Sequence, residues 1–381
     1  MSLYKTIHPG STIGIIGGGQ LGRMMALSAR EMGYKIAVLD PTPDSPCGQI
    51  ADIEITAQYH DLKAIKELAM VSDVITYEFE NIDHDALTWL HENTYLPQGT
   101  EMLRITQDRE TEKNAIVHLG VPVAPFKIVN TEHELEDAIY QIGLPCVVKT
   151  CRGGYDGKGQ VVVKKISDIP SAYDLLISSK CIVEGWVPFE KEISVIITRS
   201  PRGEVKTFPI AENIHVNNIL HQTIVPARMS EQVIEKAEKV ARTIADGLGL
   251  VGTLAVEMFY VNEDIYVNEL APRPHNSGHY SIEACITSQF EQHIRAVCNL
   301  PLGSTELVTP AVMVNLLGEH VDLALQHIQI LENSKLHLYG KKEAKQKRKM
   351  GHITFLGKDV EKLIQTIEVS PIWMEKAGVK R

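Results

Sequence analysis

Glu257 and Glu269 flank two strand-like stretches that enclose the polar turn Asn262-Glu263-Asp264. A hairpin is the natural reading of that pattern. With a register symmetric about position 263, Glu257 falls directly opposite Glu269, at a β-carbon separation of about 4.5–5.5 Å. Phe259 would then oppose Val267, and strict alternation turns Asn268 to the other face. Like charges so placed destabilise a sheet unless something neutralises them. Magnesium bridged by phosphates is the usual answer, because it accepts one or two carboxylates and keeps other oxygens as ligands. Two solvated glutamates on an exposed hairpin are the plain alternative, and the apolar Phe259 and Val267 argue against it.

A second signal is the loop from Lys149 to Gln160, with four glycines in the seven residues from 153 to 159. Valine-rich runs at Cys146–Lys149 and Gln160–Lys164 flank it, which points to a hairpin-like lid whose amides could nest phosphate oxygens. Lys149 ends its apolar run, so its ammonium is presented from a partly buried stem, and Arg109 precedes the lid. Phosphoryl transfer needs such neutralisation from several directions. A flexible surface loop is the alternative. The cationic run from Lys341 to His352 reads as solvated charge, a nucleic-acid patch or a pocket for a small anionic substrate's phosphate. Only Tyr339 could stack on bases, and the net charge of −10 favours the pocket. His275 and His279 have the spacing of a helical zinc pair, but Pro272, Pro274 and Gly278 break any helix there. Arg273, His275, Asn276 and Ser277 read instead as a polar loop beyond the carboxylate strand. Gly17-Gly-Gly-Gln-Leu-Gly22 satisfies GxGxxG, with Asp40 where a nicotinamide cofactor's ribose would be held. A dinucleotide site and a mere tight turn both fit, and the motif alone does not decide.

The elements that must position these groups follow from periodicity. Thr12–Ile16, Lys35–Leu39, Ile53–Thr56 and Val74–Tyr77 read as strands, alternating with helices at Leu21–Met32, Leu62–Met70 and Asp83–Glu92, so a parallel sheet covered on both faces is expected. Beyond residue 186 strands cluster at Ile193–Thr198, Thr207–Ile210, Leu254–Tyr260 and Ile265–Glu269, with helices at Glu231–Leu248 and Asp359–Thr366. The 381 residues allow two or three domains, and 44% hydrophobic with 23% charged residues is ordinary globular usage. The acidic balance argues against a general nucleic-acid binder. Six cysteines without a CxxC pair suit reduced thiols. The N-terminus lacks a signal-peptide core, and no apolar run approaches the roughly 18 residues needed to span a bilayer. The expectation is a soluble cytoplasmic protein without membrane or nucleic-acid partners.

Five segments in order, GGGQLGRM at 17–24, YEFENI at 77–82, RGGYDGKGQ at 152–160, NELAPRPHNSGH at 268–279 and YGK with RKMGH across 339–352, together resemble the N5-carboxyaminoimidazole ribonucleotide synthetase family of the ATP-grasp superfamily. The resemblance covers nearly the whole chain. It implies a mixed α/β and α+β fold: a Rossmann-like pre-ATP-grasp domain (1–105), a lid (106–185) and a C-terminal ATP-grasp domain with a substrate-binding tail (186–381). It also implies a homodimer and a reaction in which ATP phosphorylates bicarbonate to carboxyphosphate, which then carboxylates aminoimidazole ribonucleotide, leaving ADP and phosphate.

Carried over, the resemblance places ATP against Arg109, Lys149 and the loop Gly154, Tyr155, Asp156, Gly157, Lys158, Gly159 and Gln160. Adenine would meet the run Glu184, Gly185, Trp186 and Val187, and the ribose Glu192, with His215 and Asn268 nearby. Glu257 and Glu269 match magnesium ligands. Gln20, Leu21, Glu78, Tyr155, Asp156, Lys158, His275, Asn276, Ser277, Lys345, Arg348 and Lys349 would meet the ribonucleotide. Asp156, Arg273 and Lys349 form the implied catalytic group, with Asp156 steering or deprotonating the substrate amine. One departure stands out: where the family usually runs Arg-Pro-Gly-Arg-Lys, this chain has Lys345-Gln346-Lys347-Arg348-Lys349. The nearest rival is a formate-dependent glycinamide ribonucleotide transformylase, for which a serine-rich lid would be expected. An NAD-dependent dehydrogenase would leave hairpin, lid and tail unexplained, and a non-catalytic nucleotide-binding module would not require a paired metal site.

Overall fold

The computed structural model describes residues 5–154 and 158–373. Its first sheet contains β1 (Thr12–Ile16), β2 (Lys35–Asp40), β3 (Ile53–Thr56) and β4 (Val74–Tyr77), all parallel in the order β3-β2-β1-β4. Helices α1 (Gln20–Glu31), α2 (Leu62–Val71) and α3 (His84–Asn93) connect them. β1, β2 and β4 are buried almost throughout, as expected of strands covered on both faces. Asp61 and Asp83 cap α2 and α3 by accepting backbone N–H groups of the first turn.

Two further helices, α4 (Glu101–Thr106) and α5 (Arg109–His118), lead to a small sheet built from β5 (Phe126–Val129), β6 (Cys146–Thr150), β7 (Gln160–Val163) and β8 (Cys181–Gly185), with α6 (Glu132–Ile142) and α7 (Tyr173–Ser178) on it. Its order is β5-β8-β6-β7, and β6 and β7 form the expected antiparallel pair under the glycine-rich loop.

The remaining strands make one nine-stranded sheet. These are β9 (Lys191–Arg199), β10 (Val205–Thr207), β11 (Ala211–Val216), β12 (Ile219–Val225), β13 (Gly252–Val261), β14 (Asp264–Ala271), β15 (Ala311–Leu317), β16 (Ser334–Leu338) and β17 (Lys349–Leu356). The path runs β14-β13-β9-β11-β12-β15-β17-β16, with β10 paired to β9. α8 (Glu231–Gly247) packs its apolar stripe on this sheet, followed by the short α9 (Ser281–Ala284), then α10 (Gln289–Val297), α11 (Val321–Gln326) and α12 (Val360–Glu368). α10 faces two ways: Phe290, Ile294 and Val297 join the core of the first sheet, while the helix also lies against β13. This is the three-part arrangement that the resemblance implies.

Two expectations are corrected. Thr207–Ile210 is not a strand. β10 ends at Thr207, and the next three residues, which include Pro209 with no N–H to donate, cross over to β11. The carboxylate hairpin is also not symmetric about 263. Its turn is the two-residue Asn262-Glu263 with φ of 47° and 66°, the type I′ geometry. Phe259 therefore opposes Tyr266, and Met258 opposes Val267. A bulge at Asn268 then restores the pairing of Glu257 with Glu269. Since Glu263 holds a left-handed conformation that costs a non-glycine residue roughly 1–2 kcal/mol, Glu263→Gly is expected to raise stability by about 1 kcal/mol in urea titration. A loss of stability would show that the Glu263 side chain, rather than the turn geometry, supports the hairpin.

Candidate active site

The bulge organises the site. Apolar burial along β14 runs Ile265, Val267 and then Leu270, so the inward parity switches across Asn268 and Glu269. α5 grips this irregular stretch with one face, because residues 109, 112 and 113 lie a turn apart. Arg109 Nη1 meets Glu269 Oε2 at 3.2 Å. Glu112 Oε1 accepts the Leu270 N–H at 2.7 Å. Lys113 Nζ donates to the Asn268 carbonyl at 2.7 Å and pairs with Glu184 at 2.9 Å. Lys149 on β6 pairs with the other oxygen of Glu184 at 2.5 Å. Burial alone would raise the Glu184 carboxyl, but Lys149 and Lys113 outweigh it and hold it far below the usual range.

Opposite this cationic cluster the two paired carboxylates differ. Glu257 is pushed upward by burial and by the charge of Glu269, whereas burial of Glu269 is outweighed by Arg109 and Lys149, which draw it downward. His275 Nε2 stands 3.5 Å from Glu257 Oε1. Burial, with Arg273 and Lys349 nearby, keeps that imidazole neutral. Glu192 on β9 pairs closely with His215 Nδ1 on β11, raising the imidazole despite its burial. Two opposed carboxylates, of which Glu269 is paired with Arg109 and Glu257 faces a neutral imidazole, offer oxygen ligands that suit a divalent ion, so Glu257 and Glu269 are a chemically suitable magnesium donor set.

Arg273 ties this region to the segment that follows β4 by pairing with Glu80 at 2.8 Å, while its buried Nε has no partner among the described residues. Asn276 and Ser277 are taken up within the chain. Asn276 exchanges two amide hydrogen bonds with Asn315, and Ser277 Oγ accepts the Ser194 hydroxyl at 2.8 Å. His279 shares Gln289 with the His275 backbone, and its ring lies in a buried group with Phe290, Tyr339 and His352.

The N-terminal glycine loop holds the chain's own carboxylates. Glu78 accepts the N–H groups of Gly19 and Gly22, and Asp40 Oδ2 accepts the Gly18 N–H at 2.7 Å and the Tyr59 hydroxyl at 2.7 Å. A β-carbon at Gly19 would lie 2.5 Å from Glu78 Oε1, so glycine permits this approach. The helix-terminal amides that a dinucleotide would need are occupied, and Asp40 is not presented to a ribose. The dehydrogenase reading is thereby corrected.

The basic tail folds back onto that loop. Lys341 Nζ reaches Gln20 Oε1 at 2.8 Å and the Lys349 carbonyl at 2.6 Å, and Lys342 pairs with Asp44 at 3.2 Å. Leu21 is buried beside Gln20 on α1. Lys347 adopts φ 64°, the left-handed conformation suited to the glycine of the family pattern, with its N–H held by Glu319 at 2.8 Å. Lys345 lies exposed and pairs with Glu343 at 2.7 Å, whose carbonyl accepts from Arg348 at 3.2 Å. Gly185 ends β8, and Trp186 and Val187 continue from it, with the Trp186 N–H on the Pro145 carbonyl at 3.2 Å. At the lid, the Gly159 carbonyl accepts the Thr150 N–H at 2.9 Å, Gln160 opposes Lys149, Gly154 abuts the Lys158 carbonyl, and Lys158 is exposed. Tyr155, Asp156 and Gly157 lie outside the described residues. Glu80, Glu112 and Lys113 were not singled out from sequence, where they read as ordinary acidic and helical surface charge.

Comparisons with known proteins give the family. Family models match for a ribonucleotide synthetase preATP-grasp domain (residues 11–107), an ATP-grasp domain (114–290) and a phosphoribosylaminoimidazole carboxylase C-terminal domain (311–366). The N5-carboxyaminoimidazole ribonucleotide synthase of Bacillus subtilis is 58% identical over 375 residues, covering 98% of each chain. That of Staphylococcus aureus is 48% identical over 95% of this chain and 97% of its own. Among solved structures, an ADP complex of an N5-carboxyaminoimidazole ribonucleotide synthetase superposes with a TM-score of 0.96 at 59% identity, covering 97% of this chain and 99% of its own. The Aspergillus clavatus enzyme with ADP and 5-aminoimidazole ribonucleotide gives 0.87 at 32% identity, over 95% and 97%.

The grip of α5 has a pH signature. Burial, opposed by Lys113 and Arg109, raises the Glu112 carboxyl to about 7. Between the unfolded value and that one, the folded chain holds a proton that the unfolded chain has lost, so this group's contribution to stability falls as pH rises. Glu112→Gln keeps the acceptor for Leu270 and removes the titration. Relative to the parent, the ligand-free variant is expected to gain nothing below about pH 4.5 and on the order of 3 kcal/mol above pH 7. Urea titrations across that range test it, and a difference independent of pH would overturn it.

Proposed function

The chain belongs to the N5-carboxyaminoimidazole ribonucleotide synthase family of ATP-grasp ligases, and from that premise we propose how its residues divide the work. The reaction is the ATP-dependent carboxylation of aminoimidazole ribonucleotide to its N5-carboxy form in purine biosynthesis, a carbon–nitrogen bond formation. In our reading bicarbonate is the carbon source. A bicarbonate oxygen takes the γ-phosphoryl group of ATP to give carboxyphosphate and ADP. The substrate amine then attacks the carboxyphosphate carbon, phosphate leaves with the bonding pair, and the amine loses a proton.

The opposed carboxylates carry this reading, since nucleotide binding alone gives no reason to bury Glu257 against Glu269. Those two would hold magnesium, which shields the phosphates during transfer. Arg109 and Lys149 supply fixed positive charge beside the transferring group, each already oriented by a carboxylate. Glu192 and the strand leaving β8 would receive ribose and adenine, with His215 and Asn268 beside them. Arg273 would anchor bicarbonate, because its Nε, without a partner among the described residues, is a donor aimed at neither Glu80 nor the Pro274 carbonyl, which its terminal nitrogens serve. The ribonucleotide would lie between Gln20, Leu21 and Glu78 on one side and the tail on the other, its phosphate at Arg348 and Lys349, with Tyr155, Asp156 and Lys158 closing from the lid. Asp156 would take or steer the amine proton. A phosphate at the tail is consistent with a glycine loop already filled by Glu78 and Asp40. A cytoplasmic homodimer is part of the same reading, and no helix among the described residues is long and apolar enough to cross a membrane.

The deciding assay follows ADP release with magnesium-ATP and either aminoimidazole ribonucleotide plus bicarbonate or glycinamide ribonucleotide plus formate. Turnover is expected only with the first pair; turnover with the second would replace the substrate and keep the fold. For the metal, Glu269→Ala is expected to lower turnover by about 100-fold or more, the scale of losing one electrostatic stabiliser, and to weaken magnesium-dependent nucleotide binding in calorimetry. Wild-type activity in that variant would remove Glu269 from the metal site.

A further inference from the structure

One buried polar chain joins the two halves of the site without touching either ligand region. His293 on α10 is fully buried, and its Nδ1 accepts the backbone N–H of Thr253 at 3.1 Å. That nitrogen therefore carries no proton, and the neutral ring bears its hydrogen on Nε2. Nε2 lies 2.8 Å from Thr76 Oγ1, and the Thr76 hydroxyl donates in turn to Gln98 Oε1 at 2.6 Å. Each bond has one direction: Thr253 to His293, His293 to Thr76, Thr76 to Gln98. Burial pushes the imidazole down to about 3, so the ring stays neutral throughout the ordinary pH range.

The ends of this chain are well placed. Thr76 lies on β4 two residues before Glu78, and Thr253 on β13 four residues before Glu257. Even spacing keeps Thr253 on the same face of β13 as Glu257, and Glu78 follows Thr76 just past the end of β4. One turn earlier on α10, Gln289 brackets the loop that follows β14: its Oε1 accepts the His275 N–H at 2.9 Å and its Nε2 donates to the His275 carbonyl at 2.7 Å. Gly252, at φ 93°, leaves room for the ring, since a β-carbon there would lie 3.0 Å from His293 Cε1.

We propose that His293 is a positioning residue for the carboxylation, which as the Nε2–H tautomer sets the spacing between the Glu78 wall of the ribonucleotide pocket and the Glu257 strand that serves the nucleotide. The inference rests on the function proposed above. Amine and acyl phosphate come from opposite sides of this joint, and misplacement by about 1 Å can cost on the order of 100-fold in rate. A merely packed interface could be filled by apolar side chains, whereas this one buries four polar residues in a single directional series.

The test uses the full chain and measures KM for ATP and for aminoimidazole ribonucleotide separately, kcat, and ADP formed per carboxylated product. His293→Phe keeps the ring and removes both hydrogen bonds. It is expected to raise KM for the ribonucleotide and lower kcat by a combined factor of about 10 to 100, to release more ADP per product, and to leave KM for ATP within about twofold. His293→Gln, which offers an acceptor and a donor, is expected to recover part of the loss. Thr76→Val keeps the acceptor for Thr253 and should show the same pattern more weakly; it decides the matter if His293→Phe does not fold. An unchanged ribonucleotide KM and ADP-to-product ratio in a folded variant would overturn the proposal, as would equal losses for both substrates that glutamine fails to relieve. No turnover of the ribonucleotide by the unsubstituted chain would overturn the functional reading itself, a failure visible before any variant is made.

Discussion

Glu257 and Glu269 face each other across a ladder pair in a sheet that is otherwise closely packed, a placement that like charges resist. Much of the surrounding structure answers that repulsion. Arg109 leans on Glu269, Lys149 and Lys113 gather around Glu184 behind it, and His275 stays neutral beside Glu257. The asymmetry this produces matters chemically. One carboxylate is kept charged by cations and the other is held near neutrality by burial, so an arriving divalent ion alters the second far more than the first.

The grip that makes this possible is local on one side and remote on the other. A single turn of α5 supplies Arg109, Glu112 and Lys113, and these meet three successive residues of a bulge more than 150 positions later. A regular strand would offer alternating faces; the bulge offers two neighbouring residues opposite one. Lys113 also reaches the small sheet through Glu184, so one buried ammonium belongs to both the nucleotide-covering layer and the strand of the metal pair. Removing it would leave both carbonyl and carboxylate short of a partner in a place water does not reach.

The first hundred residues were legible almost to the residue, because short strands and capped helices alternate there and local pattern decides both. The carboxylate pairing was legible too, though by cancellation. The turn is one residue shorter than the symmetric reading assumed, and the extra residue at Asn268 repairs the register. The spacing Ile265, Val267, Leu270 carried that signal, since a step of two followed by a step of three marks a change of face. Asn217-Asn218, both left-handed, likewise marked the hairpin of β11 and β12 that the sequence reading passed over. What could not be read was long-range. Glu112 and Lys113 look like helix surface, and His293 like any histidine on an amphipathic helix, until strands from distant parts of the chain cover them. The glycine loop misled for a related reason: its fitness for an anion is real, but the anions are Glu78 and Asp40 of the same chain.

The double allegiance of α10 has a consequence for biosynthesis. The first sheet draws part of its core from Phe290, Ile294, Val297 and Cys298, and the Ile7 N–H bonds to the Cys298 carbonyl. A nascent chain therefore finishes the strands of its first domain long before the helix that covers one face of it has been made. At about 5–20 residues per second the interval is roughly 10 to 40 s. During that time Ile7, Met25 and Tyr34 lack their final neighbours, so the ribosome-bound intermediate presents an apolar surface suited to chaperone capture, and the amino-terminal domain is completed by a helix far along the chain rather than by its own end.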